Sequence, residues 1–397
     1  MNVRKFLALC GLLTLSVFPP NLRSQEARLL TDLNPGPIGS YPSNFTGFAG
    51  QVYFSAYTQE TGFELFRFDG TNVSLAANIN DTVDDIGFGV LEGNDSVPSY
   101  LTDLNGTLFL SAFEPRRGAE VWKYDGNAAS RVSDINPDAN DTVKFLPKSS
   151  WPQELVAVDS RLYFSATSRT NPPDYELWQF DGAAVSQAAN IRADLGTDHG
   201  SYPRGLTAFD GSLFFMANDG TTGWELYRHN SAGTTLIDLN TGGGDSSSYP
   251  KYFTALGTNL YFQAFTDEAG FELWKTDGTR AEMAANVAAG ANSSYPEEMT
   301  IYKGAIYFRA TDDGNGFELW KYDGTSATLA ADINPDGDGA PKEMHLFNDN
   351  LFFAANDGVH GWELWRYDGT NASLVTDLNF GGDAFPNGLH VHAGYLY

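Results

Sequence analysis

The stretch Glu318-Leu319-Trp320-Lys321-Tyr322-Asp323-Gly324-Thr325 decides the fold, because it does not stand alone. It returns as Glu272 to Thr279 and as Glu363 to Thr370. Shorter forms are Phe63-Glu64-Leu65-Phe66, Glu120-Val121-Trp122, Glu176-Leu177-Trp178 and Glu225-Leu226-Tyr227. Successive glutamates lie 56, 56, 49, 47, 46 and 45 residues apart. Self-similarity at a period of roughly 40–50 residues marks the four-stranded blade of a β-propeller. In an extended strand Glu and Trp point to one face and Leu to the other. A blade is packed on both faces, so both sets meet neighbours. A carboxylate buried beside an indole must find donors, and the backbone N–H groups of an adjoining loop are the expected ones. A group present in every blade serves the architecture. Glu64, Glu120, Glu176, Glu225, Glu272, Glu318 and Glu363, with Trp122, Trp178, Trp274, Trp320 and Trp365, are therefore read as structural.

The units share one grammar. Most open with an aromatic-Pro step: Tyr41-Pro42, Trp151-Pro152, Tyr202-Pro203, Tyr249-Pro250, Tyr295-Pro296 and Phe385-Pro386. Pro at a strand's first position loses no ladder bond. A first strand such as Leu206 to Phe209 meets an Asp210-Gly211 turn and a second strand, Leu213 to Ala217. Asp-Gly pairs supply the positive φ angles of tight hairpins. A third strand carries Glu-Leu-Trp, and a fourth ends in Asp-Ile/Leu-Asn, as at Asp332-Ile333-Asn334. Unit 4 departs from this grammar, with Arg228-His229-Asn230-Ser231 in place of the Asp-Gly turn. No stretch of ten residues keeps a 3.6-residue period, so almost no helix is expected.

The expectation is an all-β propeller of four-stranded blades, with seven full repeats and a partial eighth. The repeats cover 34–80, 81–136, 137–191, 192–240, 241–287, 288–333 and 334–379, with a partial unit from 380–397 and 28–33. A signal peptide is expected over 1–24 and a single propeller domain over 25–397. Arg4 and Lys5 precede the apolar run Phe6 to Phe18, and Pro19-Pro20 end it, the order of a secretory signal. The run is too short to span a bilayer. The partial unit lacks a Glu-Leu-Trp strand. Either the sequence is a truncated eight-bladed ring, the favoured alternative, or a seven-bladed ring carries extra strands.

Composition narrows the function. Aromatics are 14% of 397 residues, and 50 acids against 24 bases give a net charge of −26. Such a chain repels phosphate, which excludes a nucleic-acid partner, and it is too aromatic for disorder. A single Cys, Cys10, precludes a cysteine zinc site or a disulfide framework. Eight Asn-x-Ser/Thr sequons, at Asn44, Asn72, Asn80, Asn94, Asn105, Asn140, Asn292 and Asn371, are glycan acceptors or plain turn residues.

The motif Glu-Leu-Trp-x-x-Asp-Gly-Thr, complete at Glu272, Glu318 and Glu363, resembles that of the bacterial-type secreted repeat proteins named for it. The resemblance covers the chain from Arg28 onward. It implies a β-propeller, on extracellular or cell-surface proteins, without an established general catalytic function.

Candidate sites are few. The run from Asp332 to Glu343 fits a twelve-residue Ca²⁺ loop, with Asp332, Asn334, Asp336 and Asp338 at alternating positions and Glu343 closing it. An Asx-type turn between blades explains the same residues. Asp219, Asp312 and Asp357 sit in the loops between second and third strands, where they bind a cation or sugar hydroxyls or merely shape the turns. Arg116-Arg117 is the only adjacent Arg pair, a dock for a carboxylate or sulfate or a neutralised surface loop. Two long connections, around 81–100 and 137–151, break the symmetry. No metal spacing joins the six His residues, and no nucleophile motif occurs. No catalytic residue is assigned. The reading is a non-catalytic propeller that binds a glycan, matrix or protein ligand. Two alternatives are a glycosidase- or lyase-like propeller with a carboxylate site at the channel mouth, and a structural adhesion module. A carboxylate pair contributed by different blades would favour the enzyme, and an exposed aromatic platform would favour binding.

Overall fold

The computed structural model describes residues 13–15, 27–35, 37–85, 91–136, 149–169, 173–192, 200–241, 246–312, 314–392 and 395–396. They form strands and turns with no helix. The chain is an all-β propeller of seven four-stranded blades. Blade 1 runs through Ser43–Phe48, Gln51–Thr58, Gly62–Phe68 and Val73–Ala77. Blade 5 runs through Lys251–Leu256, Asn259–Thr266, Gly270–Thr276 and Ala281–Ala285. Each of the seven sheets falls inside one of the expected repeats, and each meanders through antiparallel neighbours in chain order.

The turn chemistry explains the meander. Asp210 and Gly211 both have positive φ, 46° and 63°, as a two-residue hairpin turn requires. In the turn between third and fourth strands, Asp323 Oδ1 accepts the N–H groups of Thr325 and Ser326, at 2.8 and 3.0 Å. Blade 4 keeps this hairpin without the Asp-Gly pair. Asn230 Oδ1 accepts the Ala232 N–H at 2.9 Å, and Asn230 pairs with Gly233 in the ladder. A side-chain amide oxygen thus replaces the carboxylate as the cap.

The described chain divides into two compact units. The first comprises residues 1–174, 178–186 and 395–397, and the second 175–177 and 187–394. Within each unit the apolar core lies between successive blades. Trp122 of blade 2 packs with Tyr53 and Leu65 of blade 1. Trp320 of blade 6 packs with Tyr261 and Leu273 of blade 5, and Trp365 of blade 7 with Tyr307 and Leu319 of blade 6. The motif's Leu fills the opposite face, and Leu65, Leu177, Leu226, Leu273 and Leu319 are fully buried. First strands of successive blades lie side by side within each unit.

Where the partial eighth unit is expected, the strands are much shorter than in the seven blades. The termini give strands of two or three residues, with Leu13–Leu15 paired to Ala27–Leu29 and Leu15 facing Leu396. Of the two long connections, the first folds into a hairpin, Val83–Asp85 with Leu91–Gly93. Residues 137–148 of the second lie outside the described residues, as does most of the expected signal segment.

Candidate functional site

The motif glutamate forms a clasp. Glu272 accepts the N–H groups of Val287 (2.7 Å), Ala288 (3.2 Å) and Ser294 (3.2 Å), and the Ser294 hydroxyl at 2.7 Å. Glu225 accepts the N–H groups of Leu239 and Ser248 and the Ser248 hydroxyl, the last at 2.5 Å. Glu64 uses Ile79, Asn80 and Ser96. Glu120 uses Ile135, Ser133 and Ser150, and Glu176 uses Ile191 and Ser201. In blade 6 the donors are Ile333 and Gly339 N–H, both at 2.6 Å, and in blade 7 Leu378 N–H lies at 2.9 Å. The donors belong to the end of one blade and the entry to the next. Burial pushes the carboxyls of Glu64, Glu225, Glu272 and Glu318 up to about 7 against the pull of these donors. Burial also raises Glu120, Glu176 and Glu363.

The donor serine was absent from the sequence reading. Ser96, Ser150, Ser201, Ser248 and Ser294 all stand immediately before the residue that precedes Pro. That following residue is forced into the left-handed region, with φ of 44° at Tyr41, 45° at Trp151, 48° at Tyr249 and 48° at Tyr295. Even Val97 adopts it, at 47°, an outlier for a β-branched residue. The conformation turns these side chains outward. Tyr41, Trp151, Tyr249, Tyr295 and Phe385 are between 39% and 52% exposed. The residue before each motif Glu is also mostly aromatic and meets them. In the second unit Tyr202 lies against Tyr175 and Trp224, with centroids 5.6 and 6.5 Å away. Phe271 bridges Tyr249 (6.4 Å) and Tyr295 (5.3 Å), and Tyr295 continues to Phe317 (6.3 Å).

Three residues past the residue that precedes Pro, each first strand bulges at a second left-handed residue: Asn44, Tyr100, Glu154, Gly205, Tyr252, Glu298 and Glu343. In blades 5 to 7 the bulges surround a cavity of about 260 Å³. Tyr252, Phe253 and Thr254 line it from blade 5, Glu298 and Met299 from blade 6, and Glu343, Met344 and His345 from blade 7. Glu298 Oε2 accepts the Glu343 N–H at 3.0 Å, and His345 Nδ1 lies 3.2 Å from the Glu343 carbonyl. Beside them Arg309 pairs with Glu297, its guanidinium 5.2 Å from the Phe317 ring centroid. Burial, then the charges of Glu297 and Glu298, hold the Tyr252 phenol above its ordinary value, so it stays a neutral donor. No Lys or Arg of the described residues is ion-paired with Glu298 or Glu343.

The other expected positions are dispersed. Glu343 belongs to the cavity strand, while Asp332 and Asp336 are exposed elsewhere in the loop. Asn334 Nδ2 donates to the Asp338 carbonyl, and Asp338 Oδ1 accepts the Phe317 N–H at 2.8 Å. Both bonds recur in blade 7, from Asn379 to Asp383 O and from Trp362 N–H to Asp383. Among the described residues no three His, Cys, Asp or Glu side chains gather around a metal-sized point. Asp219 accepts Thr221 and Thr222 N–H, Asp312 accepts Gly314 and Asn315 N–H, and Asp357 accepts Val359 and His360 N–H. Arg117 pairs with Asp134 at 2.9 Å, and Arg116 is exposed. Asn80 is buried, its amide donating to Asp95 O, so this sequon has no room for a glycan. No helix of the described residues is long and apolar enough to cross a membrane.

No protein-family model matches the chain, and no curated protein matches it in sequence. Solved structures match in fold. A Mycobacterium tuberculosis puromycin-hydrolysing peptidase superposes with a TM-score of 0.50 at 11% identity, covering 88% of this chain and 54% of that one. A prolyl endopeptidase structure gives 0.50 at 10% identity, covering 84% and 49%. A puromycin hydrolase gives 0.48 at 14% identity, covering 90% and 56%. The chain spans about half the length of these structures, and likeness at such identities concerns the propeller alone.

Proposed function

We propose that this chain is a secreted or cell-surface binding scaffold of the Glu-Leu-Trp repeat group, and that its ligand is a glycan. The observation that carries this reading is the run of partly exposed rings through Tyr249, Phe271, Tyr295 and Phe317, mirrored at Tyr175, Tyr202 and Trp224. Aromatic faces stack on the apolar faces of sugar rings, and exposed apolar patches of this kind mark recognition sites. The rings of Tyr202, Tyr249 and Tyr295 are held outward by left-handed backbone that costs roughly 1–3 kcal/mol per residue. Such a cost is offset by the clasp that over-determines each position. A glycan array probed with the protein tests the reading. Binding that weakens in a Tyr249→Ala/Tyr295→Ala variant supports it, and an array with no signal rejects it.

One observation favours a second reading, a carbohydrate-active enzyme. Glu298 and Glu343 come from different blades and line one cavity, as a pair of glycosidase carboxylates would. Mass spectrometry of oligosaccharides after prolonged incubation decides this. Shortened products that vanish in Glu298→Gln support it, and intact oligosaccharides throughout reject it.

A further inference from the structure

The geometry points to a subsite for a protonated amine in the cavity between the first strands of blades 5, 6 and 7, which selects glycans bearing free amino groups. The inference rests on the glycan-binding reading above and names its ligand class. The bulge position projects a different side chain in each blade, and only here do two successive blades place carboxylates at it, Glu298 and Glu343, beside a tyrosine. Two basic side chains near the cavity are engaged with other groups, and Lys251, next to Tyr252, is exposed. Arg309 is held by Glu297, and the Lys342 ammonium lies 4.2 Å from the centroid of the Trp362 ring. His345 Nδ1 is turned to a backbone carbonyl. The residues lining the cavity therefore include two acids and one tyrosine, with Phe253, Met299 and Met344 as its apolar members. An ammonium group matches the acidic members of that lining through charge-assisted bonds.

The placement fits a sugar chain. Tyr249 and Tyr295 stand three residues before Tyr252 and Glu298, in the turns that enter those first strands, which puts each at most about 10 Å from its bulge residue. That is close to the length of two sugar units. One ring can stack on a tyrosine while the amine of a neighbouring unit enters the cavity. The overall charge of −26 attracts any polycation, so the test must separate the cavity from the general field.

The test is isothermal titration with a fully deacetylated glucosamine tetramer and its N-acetylated counterpart. It compares the unaltered protein, Glu298→Gln/Glu343→Gln, and a control, Asp267→Asn/Glu268→Gln. The control removes two exposed acids from blade 5, and hence the same net charge. Gln keeps an oxygen for the Glu343 N–H. We expect the free-amine tetramer to bind, to lose about tenfold or more in affinity in the cavity variant, and to change by less than about twofold in the control. Equal losses in both variants overturn the subsite and leave only diffuse attraction. Equal affinity for both tetramers overturns it too, but leaves the glycan reading standing. Absence of binding by either tetramer, with an array blank for every other glycan, rejects both.

Discussion

The clasp glutamate and the bulge of the first strand both recur in all seven blades, and they behave in opposite ways. The clasp keeps its side chain from Glu64 to Glu363 and in every blade takes a backbone N–H from the end of its own blade, while the partner at the next entry changes from serine to Gly339 in blade 6. The bulge keeps its backbone, with φ between 53° and 67° from Asn44 to Glu343, while its side chain changes from Asn to Tyr, Gly or Glu. A propeller needs one buried acceptor per blade for the N–H groups of the turn into the next blade, because each orphaned donor costs about 1–3 kcal/mol. It needs the bulge only as a bend. The bulge side chains are therefore at liberty to differ, and three neighbouring ones line an open hollow.

The contrast can be broken first at the clasp. Replacing Glu272 with Ala strands the Val287 and Ala288 N–H groups, leaves the Ser294 N–H and hydroxyl with the Phe271 carbonyl alone, and opens a void. A loss of about 3–5 kcal/mol in denaturant unfolding is expected, with the oligosaccharide affinity of the remaining folded protein unchanged. A blade 6 variant, Gly339→Ala, attacks the same clasp sterically. Its Cβ would sit 2.5 Å from Glu318 Oε2 and 2.7 Å from Ile333 Cβ. That close approach accommodates the glycine standing where Ser96, Ser150, Ser201, Ser248 and Ser294 stand at other blade entries.

The next effect is on pH dependence. A carboxyl at about 7 folded and 4.5 unfolded favours the folded state when protonated. Its contribution is complete below about pH 4.5 and is lost as pH rises through 7, on the order of 3 kcal/mol for each fully buried clasp. The turn aspartates Asp69, Asp125, Asp277 and Asp323 act oppositely, because backbone N–H groups, and for Asp277 chiefly the Thr279 hydroxyl, lower them. Their contribution fades below about pH 4. Thermal unfolding should show greatest stability near pH 4–5 and a fall toward pH 8. A midpoint that rises from pH 5 to pH 8 would contradict the clasp account.

Smaller effects sharpen the comparison. Ser248→Ala removes one hydroxyl from Glu225 and should cost about 1–2 kcal/mol. Glu298→Gln/Glu343→Gln should change stability by no more than about 0.5 kcal/mol, since neither carboxylate is ion-paired and the glutamine keeps the acceptor. Denaturant titration of the two variants side by side measures both.

The blades were legible in the sequence because Glu-Leu-Trp and Asp-Gly are local signals. The clasp partner was not, because Ser248 lies 23 residues from Glu225 and Ser201 lies 25 from Glu176. It becomes visible only when the residues before each aromatic-Pro step are aligned, and Val97-Pro98 and Ala340-Pro341 hide the register by lacking the aromatic. The Ca²⁺ pattern at Asp332 to Glu343 shares its spacing with a staple. Asn334 and Asp338 tie the loop through backbone groups as Asn379 and Asp383 do. Glu343 was picked out for that pattern, yet it lines the cavity with Glu298 from another blade. Spatial pairing among 50 acids is set by strand adjacency, which one chain read in order does not display.

The most direct measurement is a thermal-shift titration of the unaltered protein, Ser248→Ala and Glu298→Gln/Glu343→Gln with the free-amine glucosamine tetramer. It reads the ligand-free midpoint and the ligand-induced increment together. The account predicts a lowered midpoint with a full increment for Ser248→Ala, and an unchanged midpoint with a much reduced increment for the double variant. An increment retained in the double variant and lost in Ser248→Ala would contradict the division between positions that hold the fold and positions that bind.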